Sequence, residues 1–365
     1  MVDARTNEYR PDQVSPPGET LRDILDERNL SQSELATRMG RPKKTISEII
    51  NGKAAITNET ALQLEMVLGI PAGFWSSREQ HYREYLARLE EAAELERLHD
   101  WAKTFPLREM VKQGLLPSVR DQTEKVRALL KYLGVTRPDQ WSDVYEQYAV
   151  SFRRSSAFEI DPNALGVWLR AGLLQAQAMP TGQYDRDAFV GALKEARGLT
   201  RESPEVFQPR LQEICGNAGV AVVFVPQLPK SRVSGATRWL APDRALIQLS
   251  LRYRTDDHLW FTFFHEAAHI LLHGKKLIFL DANRGEGEEE REANKWAADF
   301  LIPPPQMVEL EMLPTYSKAS IRDFAQRIGI SPGIVVGRMQ HEGLLRRSHR
   351  NDLKTRFEWA EGTAS

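Results

Sequence analysis

Between Phe261 and Lys276 the chain reads FTFFHEAAHILLHGKK, an apolar run that carries three histidines and a glutamate. A run this apolar on every side belongs inside a core if it is helical. Each polar group it takes inside must then find a partner. On a helix, residues four apart share a face, so His265 and His269 can both reach one cation at about 2.0–2.1 Å. Glu266 sits one residue round, where a carboxylate can take a proton from water activated by the metal without itself being a ligand. The plainer reading, incidental polar residues in a packed helix, is the weaker one, because two neutral imidazoles on one apolar face each need a partner.

Such a site needs a third ligand. His273 is four residues further on, but it lies about 12 Å from His265 along the axis at 1.5 Å per residue, too far for one ion. It is expected to cap the helix end before Gly274. The longer pattern with a third histidine is excluded, since Leu272 and Lys275 stand where it needs glycine and histidine. A glutamate from the next helix is left. DANRGEGEEEREANKWAADFLIPPP has an apolar stripe of Ala293, Trp296, Ala297, Phe300 and Leu301 at three- and four-residue spacing. Glu290 lies nearest the edge of that stripe and is the preferred ligand. Glu289 and Glu292 read as a solvated helix start, which favours acids. Asn294, one turn beyond Glu290, can hydrogen-bond a ligand histidine.

The 365 residues are enough for two or three domains. With 49 Lys plus Arg against 50 Asp plus Glu, no global field points to nucleic acid or membrane, so any basic patch is local. The single cysteine, Cys215, rules out an intramolecular disulfide framework and a multi-cysteine zinc finger. The first residues, MVDARTNEYRPDQ, are polar, so no signal peptide is expected. No apolar run reaches the eighteen or so residues that span a bilayer, and a soluble cytoplasmic protein is expected.

Along the chain, residues 1–17 read as a loose arm and 18–75 as short helices of turn-helix type. Residues 76–215 are nearly all of helical period and are open to reading as spacer, sensor or scaffold. The stretches HYREYLARLEEAAELERLHDWAKTF, KVRALLKYLG, DVYEQYAVSFRRS and LGVWLRAGLLQAQA are the expected helices. Strand signals come late, in AGVAVVFVPQL (218–228) and RALIQLSLR (244–252). GATRWL (235–240) is expected to precede the strand bordering a cleft. Its Arg238 reads as a surface arginine rather than an oxyanion stabiliser. A turn-helix-like pattern at 319–342 reads as packing rather than as a second DNA reader, and 346–365 as a tail.

In the first zone, Leu21, Ile24 and Leu25 form one helical stripe. SQSELATRMG then opens with Ser31 as N-cap and Glu34 at capping-box spacing, and Gly40 ends it. RPKKTISEIINGK follows, with Ile46, Ile49 and Ile50 facing in and Gly52 closing. This is a helix-turn-helix layout. Between Arg38 and Lys53 there are five basic residues (Arg38, Arg41, Lys43, Lys44, Lys53) and one acid, Glu48. Gln32, Arg41, Lys43, Lys44, Thr45, Ser47 and Lys53 are the candidate DNA contacts, through phosphates and base edges.

Two resemblances follow from these residues. PGETLRDILDERNLSQSELATRMGRPKKTISEIINGKAAITNETALQLEMVLGIPAGFW resembles the Xre-type helix-turn-helix of HigA-like antitoxins. That implies a repressor-type domain on operator DNA, usually a homodimer. HEAAHILLH followed by EREANKWAADFLIP is similar to the ImmA/IrrE family of metallopeptidases over about residues 210–345. There the resemblance makes His265, His269 and Glu290 the ligands of a Zn²⁺ ion and Glu266 the general base, a gluzincin-like set. Known members often cleave a helix-turn-helix repressor. Ala268 stands where relatives commonly have glycine. The expected architecture is α+β and predominantly helical: an N-terminal helix-turn-helix module (18–75), a helical region (76–215), and a zincin-like domain (216–345) with a small sheet and the HExxH helix. The expected function is a DNA-binding regulator with a zinc endopeptidase domain acting on a repressor or on itself. The alternative is a non-enzymatic repressor or antitoxin whose zinc domain is a scaffold for a toxin or a signal.

Overall fold

The computed structural model describes residues 14–144, 160–275, 279–281 and 287–360. The chain divides into two compact units, Met1–Leu98 and His99–Ser365. Among the described residues, no helix is long and apolar enough to cross a membrane.

The first unit is helical: α1 (Pro17–Glu27), α2 (Gln32–Met39), α3 (Lys43–Ile50), α4 (Asn58–Leu68) and α5 (Ala72–Arg97). Its core gathers Leu21, Leu25, Leu35, Ile46, Ile49 and Leu64 around the buried indole of Trp75. The Ser31 hydroxyl accepts the Glu34 N–H at 3.2 Å and starts α2. Gly40, at φ 63°, ends α2 in the left-handed conformation that costs glycine least. Pro42 then leads into α3. Gly18 is required for a different reason: a Cβ there would meet the Ile49 carbonyl oxygen at 2.1 Å, so α1 and the end of α3 touch backbone to backbone. Of the arm expected at 1–17, residues 1–13 lie outside the described residues, while Pro17 already opens α1 and is buried. The long charged helix ends at Arg97.

The second unit begins with short helices, α6 (His99–Ala102), α7 (Leu107–Lys112) and α8 (Gln122–Leu133). The helix expected over DVYEQYAVSFRRS lies almost entirely outside the described residues. Then come α9 (Pro162–Ala178), α10 (Arg186–Leu199) and α11 (Pro204–Asn217), followed by strands β1 (Val220–Phe224), β2 (Gly235–Ala241) and β3 (Arg244–Leu249). The chain continues through α12 (Asp256–Leu272), β4 (Phe279–Asp281), α13 (Glu288–Leu301), α14 (Pro304–Glu311), α15 (Lys318–Ile328) and α16 (Pro332–His341).

The sheet order is β1-β3-β2-β4, with β1 parallel to β3 and the other pairs antiparallel. GATRWL is therefore not a lead-in but strand β2 itself, between β3 and β4. Its Gly235 and Thr237, two residues apart, share one face as strand alternation requires. Val220, Val222, Ala245 and Ile247 face the main core with α10, α11 and α12. On the opposite face Gln248 donates to the Trp168 carbonyl of α9 at 2.7 Å. Within the region 76–215, left open as spacer, sensor or scaffold, Phe189, Leu193, Phe207 and Leu211 thus share the core of the sheet.

The turn-helix pattern at 319–342 is α15 and α16, joined at Gly329 (φ 77°), and its apolar residues Ile321, Phe324, Val335 and Met339 are buried in the same core. The segment read as a tail also reaches the core. Leu353 and Phe357 are buried, and Arg356 bridges Thr255. Arg197 of α10 ties helix ends together, its Nη2 donating to the Leu301 carbonyl and its Nη1 to that of Ile328, both at 2.8 Å.

Asp256, at the start of α12, is 1% exposed. It accepts the hydroxyl of Ser331, the N-cap of α16, and the Thr355 N–H at 3.0 Å. Burial pushes its carboxyl up to about 6, against the Ser331 hydrogen bond that lowers it. The folded state then holds a proton that the unfolded chain has already released near pH 4. This contribution to stability is present below about pH 4 and lost as pH rises through about 6. Two pKa units correspond to on the order of 3 kcal/mol. Chemical denaturation of Asp256→Asn and wild type at pH 4 and pH 6.5, followed by tryptophan fluorescence, should show the wild type losing about that much more stability across the interval. Parallel behaviour would contradict the assignment.

Candidate metal centre and nucleic-acid interface

The apolar stripe of α13 packs on α12 through Ala293 and Ala297, both fully buried, and through Phe300, whose ring lies 5.1 Å from that of Phe264. Small residues let the two helices approach closely. This carries Glu290, near the start of α13, to the middle of α12. Glu290 Oε2 lies 3.2 Å from His265 Nε2, and Oε1 lies 3.5 Å from His269 Nε2. The two Nε2 atoms are 3.0 Å apart. One donor atom from each of His265, His269 and Glu290 falls within 4.8 Å of the others. Both histidines are buried, and burial, then the neighbouring His265 and His273, pushes the His269 imidazole down to about 2. At neutral pH that ring is neutral and offers a lone pair.

The donor set fits zinc. Two imidazole nitrogens and a carboxylate oxygen are ligands it accepts. Tetrahedral ligands about 2.0–2.1 Å from one ion stand about 3.3 Å apart, close to the separations found. Three protein ligands leave one position open.

His273 does more than end the helix. Its Nδ1 lies 2.9 Å from His269 Nδ1 and its Nε2 lies 3.2 Å from Glu292 Oε2. Glu292, read with Glu289 as a solvated helix start, is exposed as Glu289 is, and it also contacts His273, which touches the candidate ligand His269. Asn294 lines a cavity with Phe261 and Ala298, and the ring found against His269 is that of His273.

Glu266 is fully buried. The Thr237 hydroxyl of β2 donates to its backbone carbonyl at 3.1 Å. Gly235 explains how the strand comes so near: a Cβ there would stand 2.7 Å from Glu266 Oε1 and 2.6 Å from Thr262 Cγ2. Neither residue was singled out from the sequence. The available signal was a glycine opening a β-branched strand, which marks close backbone approach. Arg238 is flanked by Thr237 and Trp239, and strand alternation puts it on the face away from α12.

In the first unit, α3 leaves Lys43 and Lys44 exposed and Thr45 and Ser47 half-exposed, with Lys53 exposed beyond it and Gln32 half-exposed at the start of α2. Lys44 is 3.8 Å from Glu48, a loose exposed pair. Arg41 is partly engaged elsewhere, its Nε donating to Gln63 and its Nη2 lying 3.1 Å from Glu59.

Residues 21–75 match the family model described as helix-turn-helix, and residues 216–340 the model described as IrrE N-terminal-like domain. Over 82 residues the chain is 34% identical to YddM of Escherichia coli (strain K12), described as an HTH-type transcriptional regulator; the match takes in 22% of this chain and 85% of that protein. Two solved structures are also similar. One is an antidote protein of a plasmid maintenance system from Nostoc punctiforme, 31% identical, covering 25% of this chain and 96% of that one, with a TM-score of 0.23. The other is an addiction module antidote protein of the HigA family from Coxiella burnetii, 27% identical, covering 23% and 94%, with a TM-score of 0.22. The chain belongs to the Xre-type helix-turn-helix family of DNA-binding regulators and carries an IrrE-like domain behind that module.

Proposed function

We propose that this regulator is also a zinc-dependent endopeptidase of the cytoplasm, cutting a repressor protein or its own chain. The observation behind this reading is the convergence of His265, His269 and Glu290 beside a fully buried Glu266. The two histidines and Glu290 would hold the metal. A zinc ion supplies Lewis acidity, lowering the pKa of water to about 7 and polarising a peptide carbonyl. Glu266 takes up the proton on its carboxylate and returns it to the departing amine nitrogen. Thr237 and Gly235 set where that carboxylate stands, one by holding its backbone and the other by leaving room for it.

On the DNA side, α3 would enter the major groove, with Lys43, Lys44, Thr45 and Ser47 facing bases and phosphates, and Gln32, Arg41 and Lys53 meeting the backbone on either side. Two copies would meet through the exposed apolar residues Leu62 and Met66, one turn apart on α4. A second reading is an antitoxin-like repressor whose metal domain is a scaffold for a toxin. It draws on the fact that His265, His269 and Glu290 form a complete donor set without Glu266.

Purified full-length chain should carry about one zinc by elemental analysis, lost in His265→Ala, His269→Ala and Glu290→Ala. Undiminished zinc in these variants would end the assignment. Changing Lys43 and Lys44 together to alanine should weaken operator binding and lower the salt slope by up to about two, one for each lost phosphate contact. Met66→Glu should weaken it by unpairing the copies, leaving the basic helix intact. Binding that ignores both changes would remove α3 as the reader.

Glu266→Gln separates the two readings. It keeps size but cannot act as a base, so cleavage of a repressor or of this chain should fall by about 10²-fold or more at matched zinc content. DNA binding should persist, since the first unit has its own core. A wild type that cleaves nothing, or a variant that cleaves equally well, leaves the scaffold reading in its place.

A further inference from the structure

Three segments of the second unit meet at the start of β2. The Ser250 N–H donates to the Ser234 carbonyl at 2.8 Å, and its hydroxyl to that of Val233 at 2.6 Å. The Arg252 guanidinium donates to the Arg232 carbonyl. The Phe357 N–H donates to the Arg254 carbonyl at 2.9 Å, and Arg356 bridges Thr255. These contacts gather Lys230, Arg232, Arg254 and Arg356, all exposed, around the half-exposed Arg252. None of the roles above uses them.

The acids nearby are engaged elsewhere. Asp256 is buried beneath Ser331 and Thr355, and Asp257 pairs with Lys354 at 2.7 Å. Asp161, whose N–H meets the Lys230 carbonyl, accepts the Asn163 and Ala164 N–H groups that open α9. Among residues 230–234, 250–257 and 354–358, Glu358 is the exposed acid. In a chain with a net charge of −1, this is a local cationic surface. Its backbone is also costly. Lys230, Arg232 and Arg254 hold φ at 65°, 47° and 56°, a region that glycine enters freely and other residues avoid. A basic side chain stands at each of these positions nonetheless.

The surface borders the proposed reaction site. Arg252, Arg254, His258 and Thr262 line one narrow crevice together with Ser234 and Ser250. Thr262 is one turn before Glu266, and the side chains of both fill the space beside Gly235. Arg232 is three residues from Gly235, at most about 11 Å along the chain, and an extended peptide covers that distance in about three residues. Such a neighbour favours a peptide over a nucleic acid, and so does Tyr253. Its half-exposed ring stacks on that of His258 at 4.2 Å and lies under the Arg252 guanidinium at 5.1 Å. A ring so occupied is a poor platform for bases.

We propose that this arginine surface recognises acidic residues of the protein being cut, set about three residues or more from the scissile bond. The proposal deepens the peptidase reading and rests on it. Exposed ion pairs are individually weak. Several in one patch raise affinity and encounter rate for an acidic segment and disfavour a basic one.

Full-length, zinc-loaded Glu266→Gln lets binding be measured without turnover. The probes are fluorescent peptides identical except for a run of Glu, Gln or Lys starting about three residues to one side or the other of an apolar centre. On one of the two sides the Glu peptide should bind roughly tenfold or more tighter than the Gln peptide, the sum of a few exposed pairs. The Lys peptide should bind more weakly still. The advantage should vanish in about 1 M salt, where charges are screened within about 3 Å. Arg232→Gln, Arg254→Gln and Arg356→Gln combined should erase the preference for Glu. Arg232→Lys, Arg254→Lys and Arg356→Lys combined should keep it, with zinc content unchanged in both variants. Equal binding of the Glu and Gln peptides would overturn the proposal, as would a preference that survives the Gln changes. So would a single-stranded oligonucleotide that binds more tightly than the Glu peptide and is lost with the same Gln changes. Acid-selective binding by a wild type that cleaves nothing would uphold the surface and end the peptidase reading. Cleavage of the Glu, Gln and Lys peptides at equal rates would do the reverse.

Discussion

The second unit is organised by one demand: α12 carries five acidic or imidazole groups into the interior, and each must be met there. Asp256, Asp257, His265, Glu266 and His269 are all buried on a helix whose other residues are mainly apolar. Burying an isolated charge costs several kcal/mol, so the elements around α12 are arranged by what its polar groups require. Strand β2 lies against Glu266, and α13 brings Glu290 to the histidines. The start of α16 and the residues around Thr355 close over Asp256, while Lys354 reaches Asp257. The apolar faces that bind these elements together, Phe263 and Phe264 on α12 with Ala297 and Leu301 on α13, supply the driving force. The polar contacts decide the register in which those faces meet.

What the sequence made legible was whatever repeats within one helix. The four-residue spacing of His265 and His269, the Ala293–Ala297 stripe and the Ser31–Glu34 cap are local patterns, and the elements that bear them were expected at those places. Glu290 was reached by combining two such patterns, because the stripe that fixes how α13 packs also fixes which glutamate turns inward. Contacts between distant segments left no such trace. Asp256 meets Ser331 and Thr355 across 75 and 99 residues. No periodicity marks a serine as the partner of one aspartate among many. The order β1-β3-β2-β4 depends on a mixed sheet in which the strand beside β1 is not the next in sequence.

GATRWL shows the limit within a single element. Its six residues make up most of strand β2, yet Arg238 drew attention because its chemistry is visible in one letter. The contribution of Gly235 is the absence of a side chain, and it has meaning only once Glu266 is known to lie against it. His273 does cap its helix and Glu292 is exposed, but the contact between them was not foreseen, for a related reason. Each was weighed against its own helix, as a cap and as a solvated acid, and each has in addition a partner on the other helix.

The same accounting bears on why Glu266 is there. His265, His269 and Glu290 suffice to hold a metal, and the packing of α12 on the sheet would be served as well by an alanine or a glutamine at that position. The unit instead keeps a carboxylate at 0% exposure and gives up a side chain at Gly235 to accommodate it. A glycine inside a strand weakens it, and a buried carboxylate costs desolvation. Two unfavourable choices made around one group are hard to reconcile with a purely structural metal, which needs neither. They are choices that the proposed proton-acceptor role would account for: a carboxylate held by its own backbone and shielded from bulk water, beside residues that would hold a cation. The helix-turn-helix unit closes its own core around Trp75 and asks nothing of this arrangement. The chain thus joins a DNA-binding helix-turn-helix module to an IrrE-like domain that buries a carboxylate at this cost.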